Sequence, residues 1–295
     1  MKQPIFRGMA TALVTPMREG AVDYEAYGRL IDWQIAQGIH ALVAVGTTGE
    51  SATLTDAERL EVIRFTAERV AGRVPVIAGT GSNCTAHAVR NTIDACKEGI
   101  DAVLAVTPYY NKASQSGLIA HFTAIADASA VPVVLYNVPS RTGCNLLPDT
   151  VAVLAEHPRI AAIKEASGNM SQAVELFAKC GGKLDIYSGE DALTVPFLSM
   201  GGSGTISVLS NVVPKLAVEM AEKGISGDFA AAAELQCRLL PLVNALFSQV
   251  NPIPAKAALA AMGFGEDSLR LPLTPMEEPY RSRMLAEMRK LGVEV

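Results

Sequence analysis

Continuous apolar, β-branched runs alternate with amphipathic stretches through the first three quarters of this chain. The runs fall at Met9–Thr15, Ala41–Gly46, Val74–Gly79, Ala102–Thr107, Val131–Asn137, Ile160–Glu165, Leu184–Ser188 and Gly204–Val208. Each is short and apolar throughout rather than alternating, which predicts strands covered on both faces and hence a parallel sheet. Between the runs the spacing becomes helical. Thr55-Asp56-Ala57-Glu58 has the form of a capping box, followed by Leu60, Ile63, Ala67 and Val70 on one expected face. Asp23 is placed to cap the first helix, and Pro148 suits a first-turn position in a later one. Eight strand–helix units in about 220 residues predict an α/β fold, a closed (β/α)8 TIM barrel over residues 1–223. An open doubly wound sheet would want a glycine-rich phosphate turn after its first strand, and Thr15-Pro16-Met17-Arg18 is not one.

From residue 224 to 295 the strand-like runs stop. Asp228 heads a helix striped with Leu235, Leu239, Leu242 and Leu246, and Asn251-Pro252-Ile253-Pro254 breaks it. A further helix runs to Met262. After the loop at 271–275, a last amphipathic helix places Tyr280, Met284, Met288 and Leu291 on one side. These residues form a small C-terminal α-helical appendage.

With 295 residues, 49% of them hydrophobic, the chain can bury a large core. Its formal net charge is −5 with both signs interspersed, and the lack of a basic stripe argues against nucleic acid or a membrane surface as partner. The stretch Met1 to Arg7 shows no apolar signal core, and no run of about 18 apolar residues occurs, so a cytoplasmic protein is expected. The five cysteines are scattered without CxxC spacing and read as reduced, mostly structural thiols. His40, His87, His121 and His157 do not cluster, so they read as surface or supporting residues and no metal site is expected. Gly201-Gly202-Ser203-Gly204 precedes the last strand, at the wrong end for a phosphate. Glu190 and Asp191 would repel one at the other end.

The sixth run, Ile160-Ala161-Ala162-Ile163-Lys164-Glu165-Ala166-Ser167, carries one ammonium into an otherwise apolar strand. Alternation puts Ala162, Lys164 and Ala166 on one face, and the two alanines leave space around the amine. Burial favours a neutral, nucleophilic amine over an ammonium, the usual preparation of a Schiff-base lysine. A lysine snorkelling out of a strand end is the plainer reading, so the surroundings decide. In a barrel of this kind reactive groups sit at the C-terminal strand ends. Those ends read Gly46-Thr47-Thr48-Gly49-Glu50-Ser51, Thr107-Pro108-Tyr109-Tyr110-Asn111, Tyr136-Asn137-Val138-Pro139-Ser140-Arg141, Tyr187-Ser188-Gly189-Glu190-Asp191 and Gly204-Thr205-Ile206-Ser207. Thr47 and Thr48 can offer hydroxyl and amide donors to a carboxylate. Tyr136 can pass a proton to or from Lys164, and Arg141 can grip a second carboxylate bidentately. Singly these are a turn cap, a half-buried tyrosine and a solvated arginine. Converging on one mouth beside a lysine, they predict a carboxylate-bearing carbonyl substrate.

Four stretches resemble the dihydrodipicolinate synthase (4-hydroxy-tetrahydrodipicolinate synthase) family of pyruvate-dependent Schiff-base lyases. They are Gly46 to Leu54, Val106 to Lys112, Tyr136 to Gly143 and Ile163 to Gly168. The resemblance extends over essentially the whole chain, including Asn251-Pro252-Ile253-Pro254. It implies an enzyme of lysine biosynthesis that condenses pyruvate with aspartate semialdehyde, without a metal or organic cofactor, in a homotetramer built as a dimer of dimers. On that resemblance Lys164 is the Schiff-base lysine, and Tyr136, Thr47 and Tyr110 form a proton relay, Tyr110 reaching in from a neighbouring subunit. Thr48 contacts the pyruvate carboxylate, Arg141 receives the semialdehyde, and Gly189 and Ile206 make backbone contacts around the lysine. The resemblance also implies an allosteric lysine site, matched here by Ser51, Ala52, Asn83 and Tyr109. Asp56 and Arg59 replace histidines there, and His87 replaces a glutamate that would face the inhibitor's amine, which implies weak or absent feedback.

Overall fold

The computed structural model describes residues 4–295. Met1, Lys2 and Gln3, the start of the stretch read as lacking a signal core, lie outside the described residues. Among the described residues ten strands are present: β1 (Gly8–Ala12), β2 (Met17–Arg18), β3 (Ala21–Val22), β4 (Ala41–Ala44), β5 (Val76–Gly79), β6 (Ala102–Val106), β7 (Val133–Asn137), β8 (Ile160–Glu165), β9 (Asp185–Ser188) and β10 (Gly204–Ser207). Eight of them close into a parallel barrel in the order β1-β10-β9-β8-β7-β6-β5-β4, with β4 pairing back to β1. Every one of the eight apolar runs supplies a strand. The hairpin of β2 and β3 went unread, because two residues per side leave no periodicity to detect.

Alternation along the strands separates two cores. Ala10, Ala12, Val43, Ile77, Leu104, Val134, Ala162, Tyr187 and Ile206 fill the barrel. Ahead of β1, Phe6 stacks on Tyr187 with ring centroids 4.3 Å apart and accepts the Tyr187 hydroxyl proton at 2.8 Å on its carbonyl. The outward-facing residues, such as Leu135 and Ile163, pack against the helices in a second, larger core.

The capping box at Thr55 forms in both directions, Glu58 N–H donating to the Thr55 hydroxyl and Thr55 N–H to the Glu58 carboxylate. The buried face of that helix (Asp56–Val70) is Val62, Ile63, Thr66 and Val70, not the expected Leu60 and Ala67. Thr66 can be buried because its hydroxyl is satisfied by the Val62 carbonyl at 2.7 Å and the Tyr27 hydroxyl at 3.0 Å. Asp23 and Asp228 cap helices as read, and Pro148 stands in the first turn of Pro148–Leu154. The helix Pro214–Ile225 spans the boundary drawn at 223. Beyond it follow Phe229–Leu246, Ile253–Ala261 and Tyr280–Lys290. The stripe Leu235, Leu239, Leu242 and Leu246 is buried, as are Met284 and Met288. His121 departs from the surface reading: it is buried, with Nδ1 within 2.9 Å of the Thr85 hydroxyl, and burial lowers its pKa. The five cysteines are free thiols. Among the described residues, no helix is long and apolar enough to cross a membrane.

Candidate active site

Register brings Lys164 and Tyr136 together. The β7–β8 pairing slips by one residue between Val133 and Val134, so that Val133 faces Ile160 but Val134 faces Ala162. The extra residue is Ala161 on β8: Ile160 packs outward and Ala162 inward. Without Ala161, Lys164 would point out of the barrel, while Tyr136 faces inward with Val134 by the plain alternation of β7. With the slip, Tyr136 stands beside Lys164, whose Nζ lies 4.4 Å from the ring centroid. Tyr187 flanks the lysine on the other side. Lys164 is 6% exposed and forms no ion pair among the described residues.

Small residues make room for it. Gly189 donates its N–H to the Glu165 carbonyl at 2.7 Å and passes close over the lysine stem. A Cβ there would stand 2.9 Å from Lys164 Cε and 2.5 Å from Ala166 Cβ. Ile206 lies fully buried in the barrel interior below.

The turn after β4 is strained. Val45, β-branched, has φ 54°, and Glu50 has φ 56°. Gly79 allows the turn to approach β5, since a Cβ would fall 2.1 Å from the Val45 carbonyl oxygen. Thr48 is buried with its hydroxyl accepting from Asn251 Nδ2 at 3.0 Å. Arg141, on the short helix Pro139–Thr142, donates to the Asn251 carbonyl at 3.1 Å. Asn251 thus bridges Thr48 and Arg141 from the far end of the chain, and its side-chain oxygen is buried without a partner among the described residues. The sequence reading missed it. Its signal was the Asn-Pro-Ile-Pro run, read as a helix break and as part of the family resemblance but given no role at the site.

A cavity of about 460 Å³ opens over Lys164, lined by Thr48, Tyr136, Arg141, Gly189, Glu190 and Asn251 among others. Burial, then the neighbouring Asp191, raises the Glu190 pKa, against the pull of Lys164 and Arg141. Asp191 does not face this mouth as expected. It is buried, accepting from the Ser207 hydroxyl at 2.5 Å and from the Val208 and Leu209 amides at 2.9 and 3.0 Å, so it braces the end of β10.

Thr47 and Tyr110 do not line this cavity within one chain. Thr47 borders an adjoining groove with Ser51, Ala52, Arg59 and Tyr109. Tyr110 stands 89% exposed in a left-handed conformation, φ 73°. Of the seven residues assigned to an allosteric site, four line that groove. Asp56 lies outside it, 3.9 Å from Arg59, Asn83 uses its carbonyl to accept from Asn111, and His87 is exposed. Among the described residues no group of metal-ligating side chains gathers.

The closed parallel barrel, with a cavity over a buried lysine at its mouth, defines the class, a TIM-barrel protein. The sequence model of the Dihydrodipicolinate synthetase family matches residues 5–291, and the chain belongs to that family. It is 53% identical over 291 residues to the 4-hydroxy-tetrahydrodipicolinate synthase of Lachnoclostridium phytofermentans, covering 98% of this chain and 99% of that protein. It is 49% identical over 286 residues to the enzyme of the same name from Geobacter sulfurreducens, covering 97% and 99%. The crystal structure of dihydrodipicolinate synthase from Aquifex aeolicus superposes with a TM-score of 0.96 at 42% identity, over 98% of this chain and 99% of that one.

Proposed function

We propose that the chain is a 4-hydroxy-tetrahydrodipicolinate synthase that condenses pyruvate with L-aspartate 4-semialdehyde in the route through diaminopimelate to lysine. The observation that carries this reading is the buried Lys164, without an ion pair among the described residues, in a cavity beside Tyr136. The lysine amine attacks the ketone carbon of pyruvate, and water leaves as the imine forms. Loss of a methyl proton gives the enamine, whose carbon adds to the aldehyde. The amine of the semialdehyde then adds to the imine carbon, closes the ring and expels Lys164. In this scheme Thr48 holds the pyruvate carboxylate and Arg141 the carboxylate of the acceptor. Tyr136, Thr47 and the Tyr110 of a neighbouring subunit relay protons, while Gly189 and Ile206 frame the lysine.

The exposed Tyr110, together with Tyr109 at 41% and Leu271 at 80% exposure, supports an assembly in which a second copy covers this edge. We assign that assembly as a homotetramer working in the cytoplasm. Borohydride reduction in the presence of pyruvate tests the central step. A pyruvate-derived mass increase on the Lys164 peptide is expected, and an unmodified peptide would refute it. Turnover with aspartate semialdehyde but not with a sugar aldehyde fixes the acceptor.

Lysine feedback is assigned as weak. The groove holds the Arg59 cation, while His87 stands outside it in place of an acid. A missing charge-assisted hydrogen bond of about 1.5–3 kcal/mol weakens binding roughly tenfold to more than a hundredfold. Initial rates at fixed pyruvate should therefore stay unchanged at sub-millimolar lysine.

A further inference from the structure

The turn that carries Thr47 and Thr48 holds two non-glycine residues in the left-handed region, Val45 and Glu50. Such a backbone persists only where its surroundings over-determine it. Part of the restraint is local: Thr15 donates to the Gly49 carbonyl at 2.9 Å and Thr53 to the Glu50 carbonyl at 3.2 Å. The rest comes from the C-terminal helices. One oxygen of Glu50 accepts from the Arg270 amide at 3.3 Å, and the other pairs with the Lys256 ammonium, with side-chain exposures of 0% and 1%. Lys256 also donates to the Ser268 carbonyl at 2.5 Å.

Lys256 sits on the helix Ile253–Ala261, five residues beyond Asn251, whose amide holds the Thr48 hydroxyl. One segment of the appendage therefore grips the turn twice, at Thr48 and at Glu50. Burial lowers the Lys256 pKa against the attraction of Glu50, so the cation depends on that partner. Lys256 does not line the Lys164 cavity and touches no reacting atom.

We infer that Lys256 is a positioning residue: through Glu50 it holds the Gly46–Ser51 turn, with Thr47 and Thr48, in the geometry that receives the carboxylate of the first substrate. This rests on the reading of the site as a pyruvate imine site. The paired substitution Glu50→Gln/Lys256→Met tests it. Neutral at both positions, it leaves no uncompensated buried charge, so the barrel is expected to fold. The pyruvate concentration that half-saturates borohydride trapping on Lys164 should rise at least tenfold, with the maximal trapping rate within threefold of the unaltered chain. A folded paired variant with unchanged half-saturation overturns the inference. So does failure of the pair to fold, which would assign the contact to stability alone. Failure of the functional reading shows separately, as no trapping in the unaltered chain. Amide hydrogen exchange at 46–51 then decides: tenfold acceleration confined to that turn in the paired variant supports the grip, and no acceleration overturns it.

Discussion

Lys164 at the end of β8 and Lys256 in the helix Ile253–Ala261 are 6% and 1% exposed, two buried lysines in two regions of the chain. Lys164 lies against a tyrosine ring in an open cavity, with no acid in ion-pair reach among the described residues. Lys256 touches Glu50 and the Ser268 carbonyl in closed packing. A buried ammonium is costly in either place. In the helices that cost is offset by a counter-ion, which makes the lysine a fastener. At the barrel mouth no such partner offsets it, and the cavity leaves the amine accessible to a small carbonyl compound. Burial alone does not separate a structural lysine from a reactive one; the partner and the space do.

Lys164→Ala breaks the comparison most severely. Turnover should fall by on the order of 10⁴-fold or more, and trapping should vanish. The chain should keep its thermal stability, because no ion partner is stranded. A substantial loss of stability would show Lys164 to be a fastener too. Next in size, Lys256→Met should destabilise the chain by about 3–5 kcal/mol in urea unfolding, since it strands the Glu50 carboxylate. Adding Glu50→Gln should return most of that loss, and no recovery would deny that the two charges offset each other.

Gly189→Ala sharpens the role of space. The added methyl meets Lys164 Cε and Ala166 Cβ inside normal contact. Overpacking of about 1–3 kcal/mol predicts that imine trapping slows roughly 5- to 150-fold. Trapping at the unaltered rate would mean that the stem has room to spare.

The smallest effect belongs to a third kind of charge, the partly exposed Glu58. Arg270 and the Thr55 amide hold its carboxyl down at about 2. Because the folded-state pKa is depressed, its contribution is complete above about pH 4.5 and is lost as pH falls through 2. Glu58→Gln should cost about 1 kcal/mol or less at pH 7. It should also flatten the acid limb of stability measured between pH 4.5 and 2. An equal loss at every pH would place the effect in the helix cap instead.

The chain alone determined the eight strands, the cap at Thr55 and the strand that carries Lys164, because those depend on local runs and spacing. Continuous apolar segments separated by helical periods leave few ways to bury every face, and a closed barrel is the simplest. The motifs at Thr47, Tyr136 and Arg141 were legible for the same reason: each lies at the end of a recognisable strand. Only the tertiary structure decided which of these residues meet. The one-residue slip between β7 and β8 turns Lys164 inward beside Tyr136, and nothing in the composition of either strand announces it. The helix Asp56–Val70 buries Thr66 rather than Leu60 because a tyrosine hydroxyl from another helix waits for it. Asn251 and Lys256 joined the site from some 200 residues away, where their partners at Thr48 and Glu50 carry no local trace of them. Local periodicity records which face of an element is buried; the identity of the group on the other side of the contact is set by the closing of the chain upon itself.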